Sequence, residues 1–148
     1  MASRLVAAGR DWRVADNVCS AGPHDRPFEE QHDAASIAAV TAGTFKYRTT
    51  QGSALMAPGA LLLGNMGQHF ECRHEHHHGD RCLSFHFAPE LLEEIARTVP
   101  GVKSFSFNAP RVPPLTALVP LLTEAAAARD SGDGAALEEI ALRVAGTT

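Results

Sequence analysis

The chain has 148 residues, of which 45% are hydrophobic and 20% charged, which is typical of one compact globular domain. Its 13 basic and 17 acidic residues give a formal net charge of -4, which argues against a basic surface that follows a phosphate backbone, so we expect no direct contact with nucleic acid. No membrane span or secretory signal is evident and the three cysteines are too few for a disulfide scaffold, so we expect a cytoplasmic protein.

The first two thirds of the chain have the pattern of short β-strands. Residues 1–31 mix short apolar runs with turn formers, which predicts one or two strands and a loop. Residues 36–47 are rich in β-branched and aromatic side chains and are interrupted by Gly43, which predicts a strand with a bend. Apolar runs between turn residues predict further strands over 55–56, 61–63, 68–72, 81–87 and 104–108.

Helical patterns follow these strands. Proline at position 89, an acid in the first turn and a one-sided set of apolar residues predict a short helix over residues 89–98. Residues 115–129 and 133–144 are rich in alanine and leucine and are separated by Ser-Gly-Asp-Gly, which predicts a helical hairpin. Its second helix has one apolar face, formed by Leu137, Ile140, Ala141 and Val144. That face requires a partner surface.

Two segments resemble a known family. Residues 39–48, then Gly52, then 55–63 with the pair Pro58-Gly59 resemble the core strands of cupin sensor domains. Residues 79–92 resemble the point where such barrels pass into their first helix. Over roughly residues 20–145 the chain resembles the N-terminal sensor domain of the AraC family of bacterial transcription regulators.

The resemblance implies a mostly β fold with C-terminal helices. Residues 1–110 would form a cupin-like barrel, a double-stranded β-helix or jelly roll, and residues 111–148 a helical hairpin. In that family the barrel binds a small effector, the helices form a homodimer, and a separate helix-turn-helix domain binds DNA. That domain is absent from this sequence, so we expect the natural chain to continue beyond Thr148. In the alternative, the two helices cover the barrel of a monomer.

Histidines and cysteines are concentrated in one segment. Six of the eight histidines lie between residues 69 and 86, and two of the three cysteines lie among them: His69, His74, His76, His77, His78 and His86, with Cys72 and Cys82. A hairpin centred near His77 would place Cys72 opposite Cys82 and His74 opposite Asp80. Side-chain alternation would then put Cys72, His74, His76, Asp80 and Cys82 on one face.

Thiolate and imidazole groups converging in this way are the ligands that tetrahedral zinc prefers. The pattern therefore predicts a site for Zn(II) or another divalent transition metal at Cys72, His74, His76 and Cys82. Two alternatives stay open. The histidines could form an exposed hairpin tip with the thiols packed as small hydrophobes, or the paired cysteines could form a redox-sensing disulfide.

A second candidate site follows from the resemblance. Metal-binding cupins place two histidines and a glutamate on an early strand and another histidine on a later one, and His32 and His69 lie at roughly two of these positions. Glu30 stands where the first histidine is expected, and residues 36–37 stand near the glutamate position. This departure argues against a catalytic metal centre. We therefore interpret His32, His69 and Tyr47 as candidate residues of a ligand pocket and predict no catalytic residue.

The sequence leaves three functions open. The first is a regulatory sensor that binds a small effector or a metal ion and performs no catalysis. The second is a small metal-dependent cupin enzyme, a dioxygenase or isomerase, with His32 and His69 among its ligands. The third is a free-standing dimeric binding module.

Overall fold

The structure is a computed structural model, and it describes residues 2–20, 29–74, 79–98 and 106–147. The strands in these ranges are β1 (Ala2–Ala8), β2 (Trp12–Cys19), β3 (Glu29–Gln31), β4 (Ala35–Ala42), β5 (Phe45–Thr49), β6 (Gly52–Met56), β7 (Leu61–Gly64), β8 (His69–Arg73), β9 (Asp80–Phe87) and β10 (Arg111–Val112). The helices are α1 (Pro89–Arg97), α2 (Val119–Ser131) and α3 (Gly134–Thr147), with a short 3-10 helix over Thr116–Leu118.

The strands form two antiparallel sheets. One has six strands in the order β1-β2-β9-β4-β7-β10, and the other has four in the order β3-β8-β5-β6. The sheets pack face to face around a core to which both contribute: Ala38, Val40, Phe45, Tyr47, Met56, Ala60, Leu62 and Cys82. The prediction of a mostly β, jelly-roll-like fold with C-terminal helices is confirmed.

The six-stranded sheet is covered on both faces. In β9, Cys82 packs toward the four-stranded sheet, whereas Leu83, Phe85 and Phe87 belong to a second core on the other side. Successive side chains of a strand point to opposite faces, so β9 contributes to both cores. Burial on both faces explains why β4 is apolar along nearly its whole length.

The helical hairpin forms the outer layer of the second core. Leu137, Ile140, Ala141 and Val144 of α3 are each at most 3% exposed and pack with Phe85 of the sheet. The partner surface that this apolar face requires is therefore the outer face of the six-stranded sheet of the same chain. None of the helices in the described ranges is long and apolar enough to cross a membrane.

Two strand predictions change in a way that affects the site. Residues 36–47 form two strands rather than one bent strand, because the chain turns at Gly43, where φ is +77°, and passes from one sheet to the other. The predicted hairpin between residues 68–72 and 81–87 is also wrong. Strand β8 pairs with β3 and β5, whereas β9 pairs with β2 and β4. Each strand therefore has both of its edges occupied in its own sheet.

The predicted strand over residues 104–108 is wrong in its described part. Residues 106–108 have no strand hydrogen bonding, while 104 and 105 lie outside the described residues. Phe107 is nevertheless buried, and its backbone N–H donates to Asn65 Oδ1 at 2.7 Å. Phe107 thus packs into the core from an irregular segment.

We expect Leu137→Ala to lower the free energy of unfolding by about 2–5 kcal/mol, because it leaves a cavity beneath α3. Leu137 is 0% exposed in the single chain. Leu55→Ala is the control, since that side chain is 54% exposed on β6. Its effect should stay within about 0.5 kcal/mol. Urea unfolding followed by circular dichroism at two protein concentrations measures both. Equal effects of the two substitutions would contradict the packing described.

Candidate functional site in the barrel interior

Strand β9 carries polar side chains into the space between the sheets. Because Leu83 and Phe85 face the helices, Cys82, Ser84 and His86 face the interior. Ser84 Oγ accepts a hydrogen bond of 2.5 Å from Asn17 Nδ2 of the neighbouring strand β2. The barrel therefore has a polar stripe on an otherwise apolar wall.

A buried histidine and tyrosine form the second polar feature of the interior. Tyr47 Oη donates to the backbone oxygen of Leu63 at 2.9 Å, and His32 Nε2 lies 2.8 Å from the same hydroxyl. Since the hydroxyl proton is used on Leu63, His32 must donate Nε2–H, which specifies the neutral Nε2-protonated ring. The His32 ring stacks on Phe70 with a centroid distance of 4.0 Å. A Cβ on Gly64 would collide with this ring, so the glycine makes room for it.

The interior histidines are neutral near pH 7. Burial lowers the pKa of His32 to about 4, and the neighbouring His86 contributes in the same direction. Burial also lowers the pKa of His86 to about 4, with a smaller contribution from the positive charge of Arg13. The Nδ1 atom of His86 is buried and has no hydrogen-bond partner among the described residues. The interior thus offers an uncharged polar group that is not used by the fold.

An open groove of about 430 Å³ lies at the end of the barrel where β9 leads into α1. Its lining includes Trp12, Arg13, Asp33, Met66, His86 and Pro89. Arg13 Nη2 contacts both carboxylate oxygens of Asp33, at 3.0 and 3.2 Å, beside this groove. The volume falls within the range of small-molecule sites, and the mixture of apolar walls with a few polar groups is typical of them.

A cluster of potential metal ligands lies at the other end of β9. His74 Nε2 lies 3.5 Å from Cys19 Sγ and 3.0 Å from Asp80 Oδ2, and the three ligand atoms are all within 4.8 Å of one another. Burial raises the pKa of Asp80, and the adjacent His74 acts in the opposite direction. Thiol, imidazole and carboxylate groups together could hold a metal ion.

The described residues bring together a set of potential ligands that differs from the predicted one. His74 and Asp80 are in contact as predicted, although they meet across the two sheets and not within a hairpin. Cys72 and Cys82 both face the interior but are not part of the three-residue cluster. Burial raises the pKa of both thiols, to about 12 for Cys82. His76 lies outside the described residues.

Cys19 was not predicted from the sequence. It lies 55 positions from His74, and no local spacing connects it with the histidine-rich segment. Its position becomes meaningful only once β2 is known to pair with β9, because Cys19 is then the register partner of Asp80. The sequence signal for Cys19 as a metal ligand was a cysteine near the end of a strand, and this signal is weak.

The predicted ligand-pocket residues divide into two groups. His32 and Tyr47 are brought together by their hydrogen bond, as described above. His69 is not near them, because its side chain is 58% exposed and pairs with Glu29 at 3.4 Å on the outer surface. Side-chain alternation along β8 explains this, since Phe70 packs against the interior core.

Comparison with known families identifies the domain. The model of the AraC-like ligand binding domain matches residues 19–145. The chain belongs to this family. The family resemblance inferred from the sequence is therefore confirmed, and an AraC-like ligand binding domain has a ligand-sensing role. No curated protein matches the chain.

Solved structures are similar to part of this AraC-like domain. DMSP lyase DddQ from Ruegeria pomeroyi is 16% identical with a TM-score of 0.51, over 59% of this chain and 46% of the lyase. A cupin-2 domain containing protein from Shewanella frigidimarina is 14% identical with a TM-score of 0.47, over 58% and 79% of the two chains. KdgF from Halomonas sp. is 15% identical with a TM-score of 0.48, over 57% and 77%. At 16% identity, the match to the lyase indicates a shared fold only.

We expect stability to fall as the pH is lowered from 7 to 5. Unfolded histidines bind protons near their ordinary pKa of 6.5, whereas folded His32 and His86 stay neutral until about pH 4. The unfolded state therefore binds more protons in this window, at a cost of about 1–2 kcal/mol for each histidine. Urea unfolding at pH 7, 6 and 5 measures the slope.

His32→Gln should reduce this pH dependence by about half. Glutamine can still donate a hydrogen bond toward Tyr47, so the fold has a route to tolerate the change. His69→Gln, which replaces an exposed ring, is the matched control and should retain the full slope. An unchanged slope in His32→Gln would show that this ring is not held neutral by the fold.

Proposed function

We propose that this domain is the sensing half of a cytoplasmic transcription regulator and binds a small effector in the groove at the β9–α1 junction. The observation that carries the proposal is His86, which lines a groove of about 430 Å³ and whose buried Nδ1 lacks a partner among the described residues. A buried polar atom left unpaired costs about 1–3 kcal/mol. A bound ligand that pairs with it removes this cost.

The groove lining suggests the chemistry of the effector. Trp12 and Met66 offer apolar contact, and neutral His86 offers one hydrogen-bonding position. Arg13 is already paired with Asp33, so the site has little unbalanced charge. We infer a small, largely apolar molecule with at least one hydrogen-bonding group.

The position of the groove provides a route for signalling. Ala88 and Pro89, at the start of α1, belong to its lining, and α1 packs against α3. An effector that contacts the start of α1 would favour one arrangement of the helices over another. In the full-length protein, this change would alter the presentation of an attached helix-turn-helix domain, the part that would contact DNA.

The helical hairpin is the proposed homodimer contact. Its inward face is buried, so the dimer would use the outer surface, where Val119 is 57% and Leu142 is 44% exposed. Exposed aliphatic side chains of this kind gain free energy when a partner covers them. The rest of the helical hairpin packs on the six-stranded sheet and supports these exposed side chains.

The alternative of a metal-dependent cupin enzyme receives less support from the site. That interpretation requires His32 and His69 to bind the same metal ion. His32 is buried against Phe70, whereas His69 is exposed and paired with Glu29. Two ligands on opposite faces of the same sheet cannot reach one ion without rearrangement of the strand.

Fragment screening by NMR tests the effector site. We expect small apolar fragments with one hydrogen-bonding group to shift the signals of Trp12, Met66 and His86. His86→Phe should weaken their binding at least about tenfold, since it removes the hydrogen-bonding position. His69→Gln should bind as tightly as the wild type. Shifts located elsewhere in the domain, or equal binding to His86→Phe, would contradict the proposed site.

Sedimentation analysis tests the dimer. We expect the wild-type domain to dimerise and the double variant Val119→Asp, Leu142→Asp to be monomeric and folded by circular dichroism, because both side chains are exposed in the single chain. Leu55→Asp, at a site 54% exposed on β6, is the control and should leave the dimer intact. A double variant that still dimerises would place the contact elsewhere.

A further inference from the structure

The inference concerns the cluster of Cys19, His74 and Asp80 at the end of the barrel opposite the groove. It goes beyond the effector proposal, since none of the three residues lines the groove. We propose that Cys19, His74 and Asp80 form a binding site for a zinc-class divalent cation, with three protein ligands and a fourth position for water.

The distances in the cluster fit tetrahedral coordination. Zinc bonds of about 2.3 Å to sulfur and about 2.0 Å to nitrogen or oxygen give tetrahedral edges of about 3.5 Å for S···N and about 3.3 Å for N···O. The corresponding distances are 3.5 Å between Cys19 Sγ and His74 Nε2, and 3.0 Å between His74 Nε2 and Asp80 Oδ2. An ion can therefore be placed among the three atoms with small side-chain adjustments.

Hydrogen bonding alone does not account for this convergence. Both Cys19 Sγ and Asp80 Oδ2 approach the same nitrogen of His74, which carries at most one hydrogen. Asp80 Oδ2 is buried, its side chain is 8% exposed, and its contact with His74 Nε2 at 3.0 Å uses the same nitrogen that Cys19 Sγ approaches. A cation bound by all three atoms would give each of them a partner. One metal ion binds several ligands, whereas the single proton on His74 Nε2 cannot serve both neighbouring atoms.

The fold positions the three ligands from separate elements. Cys19 ends β2 and Asp80 begins β9, where the two residues are register partners, and His74 directly follows β8 in the other sheet. Gly79 has a φ of +69°, and a Cβ there would lie 2.6 Å from Cys19 O, so a glycine is required for this close approach. Phe45 packs beside the imidazole with a centroid distance of 5.9 Å.

The chemistry of the donors favours zinc over harder cations. A sulfur, an aromatic nitrogen and a carboxylate oxygen suit zinc, whereas magnesium and calcium select oxygen ligands. The cluster is also largely removed from water, since Cys19 is 8% and the His74 side chain 13% exposed. A bound ion would join the two sheets at this end of the barrel and add to the stability of the folded state.

Cobalt(II) is the probe of choice, because a thiolate ligand gives it a charge-transfer absorption in the near ultraviolet. Untagged domain is stripped with chelator and titrated with cobalt chloride, and zinc affinity is then measured by competition. We expect one equivalent of cobalt and the thiolate band in the wild type. Cys19→Ser should lose the band, and Cys19→Ser and Asp80→Asn should each weaken zinc binding more than about 100-fold.

Matched controls separate this site from the other thiols and histidines. Cys72→Ser, Cys82→Ser and the triple variant H76Q, H77Q, H78Q should all keep the thiolate band. Loss of the band in any of these three, its persistence in Cys19→Ser, or absence of stoichiometric cobalt in the wild type would overturn the proposal.

Two further measurements test whether each variant folds and whether the metal site is independent of the effector site. Circular dichroism establishes that each metal-free variant folds, and zinc should raise the melting temperature of the wild type but not of Asp80→Asn, which is nearly isosteric. If Cys19→Ser does not fold, Asp80→Asn and His74→Gln decide the question in its place. His86→Phe should bind cobalt normally, so failure of the effector site and failure of the metal site are distinguishable.

Discussion

The arrangement of both candidate sites depends on strand β9 being buried on its two faces. Its residues alternate between the helix-covered core, through Leu83, Phe85 and Phe87, and the barrel interior, through Cys82. Pairing with β2 on one edge and β4 on the other leaves the strand no freedom to shift its register. A slip by one residue would move the apolar side chains into the interior and the polar ones against the helices. The positions of Asp80 and His86 are therefore determined by the packing of the residues between them.

Local sequence patterns predicted most of the strands and helices well, but they predicted poorly which strands pair with each other. The turn at Pro58-Gly59, the short helix that starts at Pro89 and the helical hairpin were all found from periodicity and turn residues, because these signals act within a few residues. The pairing of β8 was predicted incorrectly, since a histidine-rich connection looks like a hairpin tip whether it joins two strands of one sheet or crosses between sheets. Cys19 was not predicted as a potential metal ligand for the same reason. Its proximity to His74 is created by two sheets, and no spacing in the sequence carries that information.

The barrel interior contains two kinds of polar group, which differ in whether the fold itself supplies their hydrogen-bond partners. The side chains of His32 and Tyr47 find their hydrogen-bond partners within the barrel, because His32 donates to Tyr47 and Tyr47 donates to the carbonyl of Leu63. These hydrogen bonds help to specify a single arrangement of the core. His86 Nδ1 has no such partner within the described residues, and Asp80 Oδ2 shares the single nitrogen His74 Nε2 with Cys19 Sγ. Unpaired atoms of this kind lower stability unless something else binds them. The hydrogen-bond partners of each side chain therefore distinguish residues that stabilise the barrel from residues available to bind a ligand. Residue type alone does not distinguish them.

The placement of the two sites at the ends of a single strand has a thermodynamic consequence. Asp80 and His86 are six residues apart on β9, a span of about 20 Å. If occupancy at one end changes the affinity at the other, the change must be equal in both directions, since the coupling is one free energy shared by two equilibria. A metal ion that tightened effector binding would then itself be held more tightly by the effector-bound protein. The domain would respond to the product of two concentrations rather than to either one alone.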